Sequence, residues 1–215
     1  MSKPLRVLGL LLLGFVVGVA FTLGSLVYLI RHQTESVRRM ALRANPEVWK
    51  ALDPRRRLAR ADAELAGSSG EYQRSLALAD AAMMNAEAGD HEKAKSYAEE
   101  LLRLAPRYAR DWNFGNALHK GNLVLGRLAL RDGDMEGAKT FLLEAGRTPG
   151  SPQLNSFGPN MTLAKEFLEK GERTIVLEYF DLCGKFWKMG GDKLREWAAL
   201  VKDGLLPDFG ANLLY

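Results

Sequence analysis

A glycine followed by an acidic residue recurs three times in this chain, each time between two segments with apolar residues at helical spacing. The pairs are Gly89-Asp90, Gly133-Asp134 and Gly171-Glu172, and the steps between them are 44 and 38 residues. Glycine ends a helix readily because it adopts the left-handed conformation without steric cost, and an acidic residue stabilises the positive end of the next helix. The pattern therefore predicts three helical hairpins.

Small residues occupy matching places in these hairpins. They are Ala82, Gly126 and Ala164 in the first helices and Ala94 and Ala138 in two of the second helices. Beyond residue 70 the apolar positions recur every three or four residues, without runs of alternating β-branched residues, which indicates an all-α fold. Because a single hairpin cannot bury its own apolar face, we expect neighbouring hairpins to stack on each other.

This pattern resembles the tetratricopeptide repeat (TPR) family, whose 34-residue unit is a helix–turn–helix with small residues at fixed positions and a closing proline. The matching residues are Gly89, Asp90, Ala94 and Pro106 in the first unit, Leu125, Gly126, Gly133, Asp134, Ala138 and Ala145 in the second, and Leu163, Ala164, Phe167, Gly171, Phe180 and Cys183 in the third. Leu78, Asn122 and Asn160 stand where the family has tryptophan, and Val176 replaces the packing alanine of the third unit.

The resemblance covers roughly residues 72–190. It implies a TPR-like α-solenoid of about three hairpins within a domain at residues 71–204, closed by a capping helix at about Asp192 to Lys202. It also implies protein binding as the function. An unrelated bundle of helical hairpins is the alternative architecture.

The front of the chain predicts a membrane anchor at residues 1–30. The stretch from Leu5 to Ile30 reads "LRVLGLLLLGFVVGVAFTLGSLVYLI", and its only charge is Arg6. As a helix it is about 39 Å long and can cross a hydrocarbon core of about 30 Å. A cleaved signal peptide is the alternative, although its apolar core is normally shorter and ends in a cleavage site of small residues. We expect a single-pass protein of the bacterial inner membrane.

Positive charge is concentrated after this stretch. Residues 1–30 carry +2, residues 31–60 carry +6 and residues 61–215 carry −4, which gives the net +4 of the chain. We expect a basic juxtamembrane helical linker at residues 31–70, including a helix from Pro54 to Ala66. Candidates for contact with anionic lipid headgroups are Arg31, Arg38, Arg39 and Arg43. A solvated linker is the alternative.

The same charge distribution bears on topology and partners. Lys and Arg after the span favour a cytoplasmic repeat domain, but a short basic tail before an apolar helix also begins many periplasmic domains, so both sides stay open. The acidic balance beyond residue 60 argues against a nucleic-acid partner.

Two segments are longer than a repeat turn requires, at Arg107–Asn122 and Gly146–Asn160. Long loops in compact helical proteins are often functional, and an aromatic side chain in a polar surround is typical of interface hot spots. The candidate partner-binding residues are Trp112, Phe114, Gln153, Asn155, Phe157 and Asn160. The alternative is that the aromatic side chains fill gaps between hairpins. The tail at residues 205–215 has no helix signal.

Motifs of catalysis, metal binding and cofactor binding are missing from the sequence. His32, His91 and His119 lack ligand spacing, and Cys183 falls where the repeat requires a small buried residue. There is no phosphate-binding loop, nucleophile elbow or dinucleotide fingerprint. We therefore expect neither an enzyme nor a cofactor, metal or small-molecule substrate.

The expected function is that of a membrane-anchored protein–protein interaction scaffold or assembly factor. Its partner would be a peptide segment or a subunit of a membrane complex, and its other contact the lipid bilayer. The alternative is a permanent structural accessory subunit of a larger membrane complex.

The anchor yields a direct prediction. Because the apolar stretch ends without a processing site, the mature protein should retain residues 1–30, and intact-mass measurement of the purified protein checks this. A mature chain beginning between Ala20 and Ser36 would contradict it. Reporter fusions after Tyr215 decide the side of the membrane.

Overall fold

Helices account for the regular structure of this protein wherever it is described. A computed structural model describes residues 53–213, and this range contains helices and turns but no strand. The α-helices are α1 Pro54–Ala66, α2 Glu71–Ala88, α3 His91–Leu104, α4 Phe114–Arg131, α5 Met135–Gly146, α6 Pro152–Phe157, α7 Thr162–Glu169, α8 Arg173–Cys183 and α9 Gly191–Lys202. Short 3-10 turns lie at Ala105–Tyr108, Lys188–Gly190 and Gly210–Leu213. The predicted all-α class is confirmed for this part of the chain.

The three predicted glycine turns share one geometry. Gly89, Gly133 and Gly171 have φ angles of +86°, +84° and +82°. In each turn the glycine N–H donates to the carbonyl three residues earlier, and the next N–H donates to the carbonyl five residues earlier. The carboxylates of Asp90 and Asp134 also accept a backbone N–H three residues further on. The sequence therefore predicted where all three helices end and the acidic caps of α3 and α5, whereas Glu172 at the start of α8 forms no side-chain cap bond.

The helices pack as consecutive hairpins. α2 pairs with α3, α4 with α5 and α7 with α8, while α2 packs on α4, α4 contacts α7, and α5 packs on α8. Helix α1 covers α2, and α9 covers α8. Buried side chains form two clusters, one around Leu78 and Leu101 and the other around Leu142 and Phe167. Helix α4 contributes residues to both clusters and is therefore the central element of the unit.

The small residues permit the expected close approach. Ala138 is fully buried. A Cβ at Gly126 would lie 2.5 Å from Leu163 Cδ2 and 3.0 Å from Phe141 Cβ, closer than real Cβ atoms normally come. Helix α4 therefore touches both α5 and α7 at a point where even alanine does not fit without rearrangement.

Helix α4 begins earlier than the sequence suggested. Residues 114–122 were expected to belong to an insertion, but they form the first half of α4. Gly115 and Gly121 lower the local helix propensity, and tertiary packing explains both of them. A Cβ at Gly121 would lie 2.8 Å from Leu102 Cγ, and one at Gly115 would collide with the Gly150 carbonyl. These glycines are sites of close approach rather than loop residues.

The connection at 146–160 also differs from the expected loop, because it contains the short helix α6. Ser151 caps this helix by accepting the Leu154 N–H at 2.9 Å, and Pro152 occupies its first position. Leu154 is buried, whereas Phe157 is 61 % exposed. Phe157 therefore does not fill a gap between hairpins.

The compact unit extends beyond residues 71–204 on both sides. The predicted helix Pro54–Ala66 is confirmed, and its Ala61 and Leu65 are buried in the first cluster. In the tail, Phe209 is buried against Trp197 with ring centroids 5.0 Å apart. The tail is thus part of the packed structure, although only Gly210–Leu213 has helical form.

The membrane-related predictions fall outside the described residues. The expected anchor at 1–30 and the basic residues Arg31, Arg38, Arg39 and Arg43 precede residue 53. Within residues 53–213, no helix is both long enough and apolar enough to cross a bilayer.

Lys139 is partly buried beside the fully buried Ala138. Its side chain is 24 % exposed and forms ion pairs with Glu136 at 3.1 Å and with Glu172 of the next hairpin at 3.2 Å. The position next to the buried alanine therefore contributes to hairpin contact.

Substitution Ala138→Leu should destabilise the protein by about 1–3 kcal/mol, because the added atoms have no space between α4 and α5. Thr140→Leu is the matched control, since Thr140 is exposed on the same helix, and it should change stability by less than about 0.5 kcal/mol. Thermal unfolding of both variants measures the difference. Equal melting temperatures for wild type and Ala138→Leu would contradict the packing of this hairpin.

Candidate partner-binding site

Three of the predicted site residues surround one cavity beside α4. The cavity has a volume of about 300 Å³. We call it the α4 cavity. It is lined by Asn116, His119, Lys120, Gln153, Leu154, Phe157, Gly158 and Asn160. One wall is the first half of α4 and the other is the connection that contains α6. The two segments that are longer than a repeat turn requires thus meet at a single site.

His119 fixes the inner wall of the cavity. The residue is buried, its Nδ1 lies 3.0 Å from the Ala145 carbonyl oxygen, and its Nε2 lies 3.1 Å from the Asn160 nitrogen. A carbonyl oxygen can only accept, so Nδ1 donates, and Nε2 accepts the Asn160 N–H. This arrangement uses the neutral imidazole. Burial lowers the pKa of His119 to about 4, and the nearby Lys120 charge acts in the same direction.

The outer wall is held in place by hydrogen bonds from distant parts of the chain. The Tyr179 hydroxyl donates to the Asn160 carbonyl at 3.0 Å. The Asn212 side-chain amide donates to the carbonyls of Phe157 at 3.1 Å and Pro159 at 2.9 Å. These bonds satisfy buried backbone groups and fix the path of the connection. The cavity is therefore preformed.

Gly158 sets the direction of the neighbouring aromatic side chain. It has a φ angle of +88°, and a Cβ there would lie 2.5 Å from the Trp187 ring. Only glycine satisfies both the left-handed backbone and the contact. The chain turns inward at this residue and leaves Phe157 exposed at the rim. An exposed aromatic side chain on a fixed backbone loses little entropy when it meets a partner.

Side-chain amides form the upper rim. The Asn116 amide donates to Gln153 Oε1 at 2.6 Å and to Asn113 Oδ1 at 2.8 Å. The Ser151 hydroxyl donates to Asn116 Oδ1 at 2.6 Å. This network links α4 to α6. It also leaves Gln153 exposed at the edge, where the amide nitrogen can donate to a ligand.

Charged residues continue along the same face of α4. Lys120 pairs with Asp80 of α2 at 2.6 Å, and Arg127 pairs with Glu166 of α7 at 2.9 Å. At 100° per residue, Asn116, Lys120 and Arg127 lie within about 40° of one another around the helix. A polar stripe thus runs along α4 and contacts the first helices of the hairpins on either side.

The remaining predicted residues lie elsewhere. Asn155 accepts the Lys188 N–H at 3.1 Å, which ties α6 to the segment after α8. Trp112 is 51 % exposed in the turn before α4, and Phe114 is half-buried against the first core cluster. None of these three residues lines the α4 cavity.

Sequence reasoning missed Asn116, His119 and Lys120 as site residues. They lie in a segment that was interpreted as an insertion. The usable signal was the stretch "NALHKGN", in which Asn116 and Lys120 are four residues apart and therefore lie on one face of a helix.

Compared with known proteins, the chain matches no family model, no curated protein and no solved structure. Within residues 53–213, no group of three His, Cys, Asp or Glu side chains is positioned to hold a metal ion. Cys183 is fully buried, and burial raises the pKa of its thiol.

His119 makes stability depend on pH. Its pKa falls from 6.5 in the unfolded chain to about 4 in the folded protein, so the unfolded state binds more protons between these values. The stability that the neutral His119 contributes to the folded protein is fully present above pH 6.5 and is lost as the pH falls toward 4. Between pH 7.5 and pH 5 the loss should be about 2 kcal/mol.

Chemical unfolding of the full chain in detergent at both pH values measures this loss. His119→Gln is the control, because glutamine can donate and accept but does not titrate. The variant should lose much less stability than wild type over the same range. Equal pH dependence in the two proteins would show that His119 is not the group responsible.

Proposed function

We propose that this protein is a membrane-anchored, TPR-like scaffold that binds an extended segment of a protein partner in the α4 cavity. The observation that carries the proposal is the convergence of Gln153, Phe157 and Asn160 with α4 around one preformed cavity. Grooves of helical repeats bind peptides in this way, between a fixed helix face and a neighbouring loop.

The hairpins support a TPR-like arrangement. The three turns share their backbone geometry, and the small residues Ala82, Ala94, Ala138 and Ala164 are buried at matching positions. The first helices of neighbouring hairpins contact each other: α2 contacts α4, and α4 contacts α7. The α6 connection departs from a regular array, and it is this departure that builds the cavity.

The chemistry of the lining suits a peptide rather than a small polar molecule. Leu154 provides an apolar interior, Phe157 provides an apolar rim, and Asn116, Gln153 and Lys120 provide polar groups at the edge. An apolar side chain of the partner would enter the cavity. Its backbone would then lie near amide groups that can both donate and accept hydrogen bonds.

The predicted anchor would hold this binding site at a membrane. Residues 1–30 would insert into the bacterial inner membrane, and Arg31, Arg38, Arg39 and Arg43 would contact anionic headgroups. The positive charge after the span favours the cytoplasmic side over the periplasmic side. A partner that is itself part of a membrane complex would meet the scaffold with little loss of freedom.

Phe157→Ala should abolish co-purification of the partner in mild detergent and leave the melting temperature nearly unchanged, because the side chain is 61 % exposed. Leu206→Ala is the matched control, since it also removes an exposed apolar side chain, and it should retain the partner. Leu154→Ala, at a buried position, should instead lower the melting temperature.

Two results would contradict the proposal. One is that the Phe157 variant unfolds, which would make the side chain structural. The other is that it retains the partner as wild type does.

A permanent accessory subunit is the second candidate function. The observation that favours it is a set of exposed apolar side chains outside the cavity, at Met189, Leu205 and Leu206. In that case the double variant Leu205→Ser/Leu206→Ser should release the protein from its complex, and Phe157→Ala should not.

A further inference from the structure

A second depression lies at the opposite end of α4, where the ends of three hairpin helices meet. It has a volume of about 550 Å³ and is here called the turn-end cleft. Its lining includes His91 at the start of α3, Arg127 and Arg131 in the last turns of α4, and Glu166 and Lys170 at the end of α7. No part of the proposed function uses this cleft.

The carboxylates of the cleft already have cationic partners. Glu166 pairs with Arg127 at 2.9 Å, and Glu169, also in the lining, pairs with Lys165 at 3.2 Å. Among the described residues, Lys170 has no ion pair, and the buried His91 Nδ1 has no hydrogen-bond partner. Lys170 is therefore a cation of the cleft without an acidic partner among the described residues.

Arg131 adds further donors at the rim. Its Nη2 and Nε donate to the same carboxylate oxygen, Asp132 Oδ1, at 2.7 Å and 2.9 Å. Its other terminal nitrogen has no bond to Asp132. Guanidinium and ammonium groups are the cationic side-chain groups that bind carboxylates in proteins.

We propose that the turn-end cleft binds an acidic side chain of the same partner segment that occupies the α4 cavity. This inference rests on the proposed function and specifies the chemistry of the partner. Charge complementarity carries it: Glu166 and Glu169 are paired with Arg127 and Lys165, whereas Lys170 has no acidic partner among the described residues and Arg131 keeps a terminal nitrogen that does not bond to Asp132.

The geometry of α4 gives the spacing of the two contacts. Lys120 lines the α4 cavity and Arg131 lines the turn-end cleft, and the two residues lie on the same face of the helix. Eleven residues of helix separate them by about 16 Å. An extended peptide covers that distance in about five residues. The partner segment thus carries an apolar residue and, about five residues away, Asp or Glu.

Synthetic peptides test this spacing on the full-length protein in detergent micelles. One fluorescent peptide carries leucine followed about five residues later by glutamate, the second has glutamine instead of glutamate, and a third has serine instead of leucine. The other positions are serine and alanine. Fluorescence anisotropy should give about tenfold tighter binding for the glutamate peptide than for the glutamine peptide.

Variants assign this preference to the cleft. Arg131→Gln with Lys170→Gln should remove the preference for glutamate and leave binding of the glutamine peptide unchanged. Lys185→Gln with Lys202→Gln is the matched control, because it removes two exposed positive charges elsewhere and should retain the preference. Phe157→Ala should weaken both leucine peptides equally.

The outcomes separate the two proposals. Equal binding of the glutamate and glutamine peptides, or a preference that survives in the Arg131/Lys170 variant, overturns the carboxylate site and leaves the α4 cavity proposal standing. If replacing leucine by serine changes nothing in wild type, the α4 cavity proposal fails and the inference fails with it.

Discussion

The neutral ring of His119 joins the parts of this structure that sequence order keeps apart. It donates to the carbonyl at the end of α5 and accepts the amide that precedes α7, so one side chain on α4 fixes both ends of the α6 connection. The bond that Nε2 accepts from Asn160 requires the uncharged ring, and burial maintains this form by lowering the pKa of His119. The shape of the α4 cavity depends on this arrangement, because Asn160 and Phe157 follow the path that these bonds impose.

Helix α4 contains glycines that allow close packing, although glycine lowers the stability of a helix. Its glycines allow close contact with neighbouring segments, since Gly121 meets Leu102 and Gly126 meets Leu163. Glycine also weakens a helix, and burial of α4 between two clusters of apolar side chains offsets that loss. The helix also contributes polar side chains to both depressions, Asn116, His119 and Lys120 to the α4 cavity and Arg127 and Arg131 to the turn-end cleft. A central helix held on several sides presents these groups with little freedom to move, which favours binding.

The local features of the fold were predictable, whereas the site was predictable only in part. Gly89, Gly133 and Gly171 act through their own turns, and the buried Ala138 follows from helical spacing. Phe157 was identified from its polar surround, and the structure leaves it exposed. The first half of α4 was misinterpreted because Gly115 and Gly121 reduce helix propensity. No local pattern indicates that each of these glycines meets a distant segment.

The sequence by itself determined the all-α class, the three glycine turns and the acidic caps, because these signals act over three to five residues. Tertiary structure decided the early start of α4, the helix within the connection, the packing of the tail and the protonation of His119. The bonds from His119 span 26 and 41 positions, and those from Asn212 to the connection span 53 and 55. Contacts over such separations form only when the hairpins have packed, so the cavity they build is a property of the folded chain.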